Sequence, residues 1–227
     1  MATTLQSTRQ RGLTLVELMI GLALGLLVAA AATTLLVAQL REQRSLTIEN
    51  RLMQDLRTAS DVIVRDLRRA GHWGAAASGI RVAGSNSAAS NPYVALAPSS
   101  AASDATSFRY SRDAVENQVV DTNEQFGLRL RNGAIELLLG AGNWQSLTDA
   151  GTLTVTGFAI TPTVQEIGLA EHCAAPCPAG STSCPRQQVR SFAVIVTARS
   201  TVDASVVRSL RSEVRVRNDA LLGACPV

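Results

Sequence analysis

The chain has no lysine; all 21 of its basic side chains are arginine. That absence removes the Walker-A lysine of phosphate-binding loops, the Schiff-base lysine and the Ser-x-x-Lys nucleophile pair. Aromatic residues are nearly as scarce, at 4% of 227 positions, and the arginines are dispersed among Asp and Glu. A nucleic-acid footprint needs a clustered basic face with stacking aromatics, so the sequence argues for no nucleic-acid partner. The two histidines, His72 and His172, stand far apart, with no Gly-x-Ser-x-Gly elbow and no His-Glu-x-x-His pair. His72 follows a predicted helix stop beside Trp73, where packing or capping is simpler than proton transfer. Asp61 and Asp66 lie among arginines on a helix and are most simply solvated or ion-paired. No catalytic constellation, cofactor site or metal-binding run emerges, and the expectation is a protein that packs rather than one that turns over substrate.

Charge is missing altogether from Leu18 to Leu40, a run of 23 residues. About 20 apolar residues cross the hydrocarbon core as a helix. One acid, Glu17, sits at the edge of that run. A carboxylate at bilayer depth costs roughly 2.5–3.5 kcal/mol on insertion scales, which makes it a functional candidate by default. Three readings compete. A secretory signal peptide cut near Ala29–Ala32 would have an apolar core longer than the usual ~7–15 residues. A plain single-span anchor is poorly oriented by its arginines, because Arg9 and Arg11 precede the span while Arg41, Arg44 and Arg51 follow it. Neither explains Glu17.

The third reading takes Arg9-Gln-Arg-Gly-Leu-Thr-Leu-Val-Glu17 and the following apolar run as one constellation. It resembles the processing site and N-terminal helix of type IV pilins and pseudopilins. The resemblance implies cleavage by a membrane prepilin peptidase between Gly12 and Leu13 and methylation of Leu13. Leu13 stands where phenylalanine is common. Glu17 then becomes the fifth mature residue, able to pair with the α-amine of a neighbouring subunit in a low-dielectric setting. Gly21 and Gly25, a Gly-x3-Gly pair, would permit close helix packing, although glycines are common in transmembrane helices in any case.

Beyond Leu40 the pattern turns amphipathic. Ile48, Leu52, Leu56, Ala59, Ile63, Leu67 and Ala70 recur at spacings of three or four, opposite Arg51, Asp55, Arg57, Arg65, Asp66, Arg68 and Arg69. Gly71 is a C-terminal stop. The helix is predicted over Leu13–Ala70. A coiled coil would need a longer and more regular stripe. Val64-Arg-Asp-Leu-Arg-Arg-Ala-Gly-His-Trp-Gly74 resembles the segment closing the long helix of PilW-like minor pilins, and Leu210-Arg-Ser-Glu-Val-Arg-Val-Arg-Asn218 resembles their last strand. The resemblance covers the first 75 residues well and the rest loosely.

Ala75 to Ser107 is rich in Ala, Ser, Gly, Asn and Pro and reads as a long surface loop, with one short element near Tyr93–Leu96. Phe126 to Leu139 is the clearest hairpin, turned by Asn132-Gly133. Thr152–Ile160, Val189–Arg199 and Val206–Arg217 alternate as strands, the last two expected to pair as an antiparallel edge. The fold class is α+β: a long N-terminal α-helix, transmembrane in its first half, packed on an antiparallel β-sheet. Four divisions follow: leader 1–12, transmembrane and assembly helix 13–40, amphipathic continuation 41–71, and exported domain 72–227.

All four cysteines fall late, at Cys173, Cys177, Cys184 and Cys225. An even number in an exported domain reads as two disulfides. The spacing is not the paired C-x2-C of structural zinc, though His172 could supply a ligand to such a site. Three pairings are possible. The favoured one joins Cys177 to Cys184 and Cys173 to Cys225, the latter tying the chain end to the loop much as major pilins staple their carboxyl region. The loop reads either as a contact site at a pilus tip or as a stapled connection. The resemblance implies a minor pilin in the inner membrane, its amino end cytoplasmic and its exported domain periplasmic, which then enters the pilus. Its partners would be the prepilin peptidase, other minor pilins, a major pilin and membrane lipid, with motility, adhesion or DNA uptake as the outcome. A minor pseudopilin of a type II secretion system has the same amino end, and a single-span periplasmic enzyme or receptor is the reading from another class.

Overall fold

The computed structural model describes residues 12, 14–79, 89–178 and 180–226. They form two compact units, divided at Thr47/Ile48. One helix, α1 (Leu15–Arg69), contributes to both. The predicted start of this helix at Leu13, and the leader apart from Gly12, lie outside the described residues.

In the first unit every described residue up to Thr47 is exposed, among them Leu15, Leu22, Leu27 and Leu36. A helix apolar on all sides needs lipid or other helices around it, and α1 is long and apolar enough to cross a membrane.

The second unit begins where the apolar stripe becomes one-sided. Leu52, Leu56, Ile63 and Leu67 are each at most 3% exposed. They share one core with Phe108, Phe126, Leu128, Ile160, Phe192, Val194 and Val214. Each such side chain contributes about 1.5–3 kcal/mol when fully buried, so the stripe fixes which helix face turns inward. α1 stops one residue earlier than predicted, at Arg69, and Gly71 adopts φ +73° just beyond it. That left-handed turn costs an L-residue about 1–2 kcal/mol, and glycine avoids the cost.

The β-structure forms two sheets, not the single sheet predicted. The first runs β1 (Leu96–Ala97), β2 (Ala105–Arg109), β3 (Gln125–Arg131), β4 (Ala134–Leu139), β5 (Trp144–Ser146), each antiparallel to the next. Its centre is the predicted hairpin, with Asn132 at φ 50° and Gly133 at φ 74°, the positive pair that a type I′ turn requires. The short element expected near Tyr93–Leu96 is β1, while the segment read as loop as far as Ser107 enters β2 earlier, at Ala105. Phe108 of β2 lies opposite Phe126 of β3, and this cross-strand pair supplies what a sparse local sequence does not.

The second sheet has the order β6 (Leu153–Gly168), β7 (Arg186–Ser200), β8 (Val207–Arg215), with β9 (Ala220–Leu222) also on β7. Two expectations change here. β6 runs on to Gly168, past the predicted end at Ile160, and carries Pro162. Proline is tolerated because β6 lies at the border of its sheet, where a missing N–H breaks no ladder. And β7 is central, paired to both β6 and β8, so only β8 of the predicted pair is an edge.

Candidate assembly surfaces

At the amino end of α1, Thr14 is the cap. Its Oγ1 accepts from the Glu17 N–H at 3.3 Å and its carbonyl from the Leu18 N–H at 3.2 Å. Glu17 therefore occupies the third helical position, the acid of a Thr-x-x-Glu capping signature, at the positive end of the helix dipole. That signature, Thr14-Leu-Val-Glu17, is legible in the sequence beside the charge. Leu13 lies outside the described residues. A Cβ built on Gly21 or Gly25 meets nothing within 4 Å, so both present bare backbone on an exposed apolar helix.

At the carboxyl end of α1 the two stretches that carried the narrower resemblance meet. The Arg68 carbonyl accepts from the Arg217 N–H at 3.2 Å, and the Ala70 carbonyl accepts from Asn218 Nδ2 at 3.0 Å. Asn91 Nδ2 donates to the Gly71 carbonyl at 2.9 Å. Carbonyls at and just beyond a helix end lack intrahelical partners, and here a distant backbone N–H and two side-chain amides fill them. Arg190 closes the node: only 7% exposed, it donates to the Val94 carbonyl at 2.6 Å and the Asn218 carbonyl at 3.0 Å. Burial pulls its pKa down, and the Asp219 carboxylate works against that pull. Nothing in the local sequence marks Arg190 or Asn218 for this role, because every partner is remote.

Asp66 corrects an expectation. It is 8% exposed, neither solvated nor held in an ion pair among the described residues, whereas Asp61 is exposed as foreseen. Burial raises the Asp66 pKa, and the nearby Arg69 and Arg65 charges moderate the rise. Arg69 meanwhile lies 4.3 Å above the Tyr110 ring, which stacks on Phe126 at 3.8 Å. Trp73 is buried, while His72 is exposed.

The cysteines form Cys173–Cys225 and Cys177–Cys184, with Cα separations of 5.3 and 6.0 Å. No thiol is left free. The cross-linked loop follows the end of β6, and β9 returns along β7 to bring Cys225 to it. Ala224 N–H donates to the Ser183 carbonyl there at 2.9 Å.

Two family models match this chain. Residues 7–33 match the prokaryotic N-terminal methylation motif. Residues 45–216 match prepilin peptidase-dependent protein B, about three-quarters of the chain. The chain belongs to that family. It is a type IV pilin-like protein with α+β architecture, and the matching description is protein B, with PilW itself not singled out. Neither the curated proteins nor the solved structures contain a match.

Within this pilin-like family, the methylation-motif match spans Gly12, Leu13, Glu17, Gly21 and Gly25, and the longer match spans the α1 stripe and both sheets as far as Val216. Asn218, β9 and Cys225 fall after the matched residues, so the capping side chain and the second disulfide are features read from this chain. One acidic grouping also went unnoticed in the sequence. Glu124 is fully buried, and its carboxylate accepts from the Arg112 N–H at 2.7 Å and from the Asp121 N–H and Tyr93 hydroxyl at 3.0 Å each. Burial and two facing carboxylates, Glu116 and Glu124, push the Tyr93 pKa upward. Asp113, Asp121 and Glu124 bring carboxylate oxygens within 4.8 Å of one another, the spacing a hard cation would require. The bonds Glu124 already accepts give this cluster a structural role in holding the 111–124 loop.

Proposed function

We propose that this chain is a minor pilin of a type IV pilus, made as a precursor and cut by prepilin peptidase between Gly12 and Leu13. Leu13 becomes the methylated first residue. The processed protein crosses the inner membrane once, amino end cytoplasmic, with the disulfide-linked domain in the periplasm. It then enters the fibre with other minor pilins and a major pilin, helping to prime assembly for motility, adhesion or DNA uptake. The observation that carries this reading is one helix, apolar and exposed at every described residue up to Thr47, that bears the methylation motif and is continuous in sequence with a domain of the protein B family. Glu17 is the residue that receives a neighbour's α-amine during assembly, and Gly21 with Gly25 lets packed helices approach closely.

The test is mass spectrometry of the protein purified from its native membrane. A chain beginning at methylated Leu13 is the expected result. An intact Met1, or a cut near Ala32, would overturn the reading and leave a tethered periplasmic domain. Loss of pili in a deletion strain assigns the chain to the pilus, whereas loss of a secreted enzyme with pili intact assigns it to a type II secretion system as a minor pseudopilin.

A further inference from the structure

Among the described residues no strand pairs with the outer edge of β8. Its ladder to β7 runs through even-numbered residues: Ser200 N–H donates to the Val206 carbonyl at one end, and Val216 N–H to the Arg190 carbonyl at the other. The register between them holds without a shift. Hydrogen-bonded and non-bonded pairs alternate in an antiparallel ladder, so the N–H and C=O groups of Ser209, Arg211, Glu213 and Arg215 point away from β7. All four residues are exposed.

α1 runs beside this edge in the same direction. Glu49 pairs with Arg208 at 2.6 Å, Ser60 Oγ lies 2.6 Å from Ser212 Oγ, and Arg68 meets Arg217 through the backbone. From Glu49 to Arg68 a helix rises about 28 Å, and from Arg208 to Arg217 a strand rises about 30 Å, so the two elements stay level throughout. A cleft of about 690 Å³ opens between them, lined by Met53, Arg57 and Asp61 of α1 and by Arg208 and Ser209 of β8. Among the described residues Arg57, Arg65, Arg68 and Arg217 have no ion-pair partner; of the acids on this stretch of α1, Asp55, Asp61 and the buried Asp66 are likewise outside any ion pair, and Asp66 feels the Arg65 charge.

We propose that this edge receives an extended acidic segment of a different protein chain, added as a strand beside β8. Backbone bonds to the outward groups of β8 would supply affinity, and the arginines would select the sequence. Arg57 and Arg65 are about 12 Å apart along α1, close to four residues of strand, so the segment should carry acids four positions apart on one face. A second copy of this chain fits less well, because β8 carries three arginines, Arg208, Arg211 and Arg215, to one acid, Glu213, so pairing two such edges brings net positive charge together.

The experiment uses the full chain in detergent micelles with the peptide Thr-Val-Glu-Val-Thr-Val-Glu-Val-Thr and its counterpart carrying lysine for glutamate. Amide hydrogen exchange at Ser209, Arg211 and Glu213 should slow at least tenfold with the acidic peptide and stay unchanged with the basic one. Arg57→Glu, a change on an exposed helix face, should weaken binding at least tenfold. Arg211→Pro removes an N–H that serves no ladder, so it should keep the melting temperature while losing the protection. Equal protection by both peptides, no protection by either, or protection that rises with protein concentration in the absence of peptide would each overturn the proposal. The readout is binding alone, so it stands or falls apart from piliation.

Discussion

Glu17 serves two demands at the start of α1, and magnitudes separate them. As the acid of a capping signature it gains roughly 0.3–1 kcal/mol from the helix dipole. Placement in hydrocarbon costs roughly 2.5–3.5 kcal/mol, so capping alone does not account for an acid at this position. The proposed pairing with a neighbour's amine would offset that cost. Glu17→Gln keeps a side chain able to complete the cap but removes the charge. It should insert normally and yet fail to enter fibres, as Glu17→Ala should; immunoblots of sheared pili check this, and normal incorporation of the Gln variant would reduce Glu17 to a capping residue. Asp66 gives a second residue-scale prediction. Its pKa is raised in the folded state above the ordinary aspartate value of 3.8, chiefly by burial. Between those two values the folded state holds the proton more tightly than the unfolded state, so stability falls as pH climbs through that window. Above it the full cost of the buried charge remains. Asp66→Asn should flatten this dependence, gaining on the wild type as pH rises from about 3.8. Urea unfolding across pH 3.5–7 measures it, and parallel curves for the two proteins would show that Asp66 does not carry the effect.

Among the elements, those written in local periodicity were legible and those made by remote pairing were not. The stripe Leu52 to Leu67, the stop at Gly71 and the Asn132-Gly133 turn each depend on neighbours within about seven positions, and the structure keeps all three. β2 has one large apolar residue, Phe108, and becomes a strand through pairing with β3. The far half of β6 carries Pro162, which local rules read as a break, and only its border position makes it admissible. The split into two sheets has no local signal at all. For the assembly site, the leader, Glu17 and the glycines stand out by spacing, whereas Asn218 reaches Ala70 and Arg190 reaches Val94, each more than 90 positions away. The cap on α1 is therefore the element to test. Gly71→Ala forces a side chain into a left-handed position at φ +73°, with its Cβ 3.2 Å from Arg190 Nη2. Asn218→Ala leaves the Ala70 carbonyl without its side-chain donor. Each should cost about 1–2 kcal/mol. Because both act on one node, the double variant should cost less than the sum of the two. Thermal melting of the three variants decides it; strict additivity would mean that the two groups do not share a site.

At the scale of the whole molecule, the distribution of buried residues argues that folding and anchoring are separate tasks. Every residue of the hydrophobic core lies at Leu52 or later, while every described residue before Ile48 is exposed. The apolar half of α1 thus gives nothing to the core within this chain and depends on lipid or neighbouring helices to cover it. The domain beyond has two sheets, two disulfides and the α1 stripe as its own resources. A version beginning at Ile48, exported to an oxidising compartment, should be soluble without detergent and unfold in a single cooperative transition. The full chain should aggregate once detergent is removed. An isolated α1 segment of 22 residues is marginal as a helix in water, so its order in the truncated protein must come from packing on the sheets. Circular dichroism with size-exclusion chromatography tests this directly. A truncated protein that binds hydrophobic dyes and melts without cooperativity would show that the membrane half of α1 is needed to seat the stripe, and the two tasks would no longer be separable.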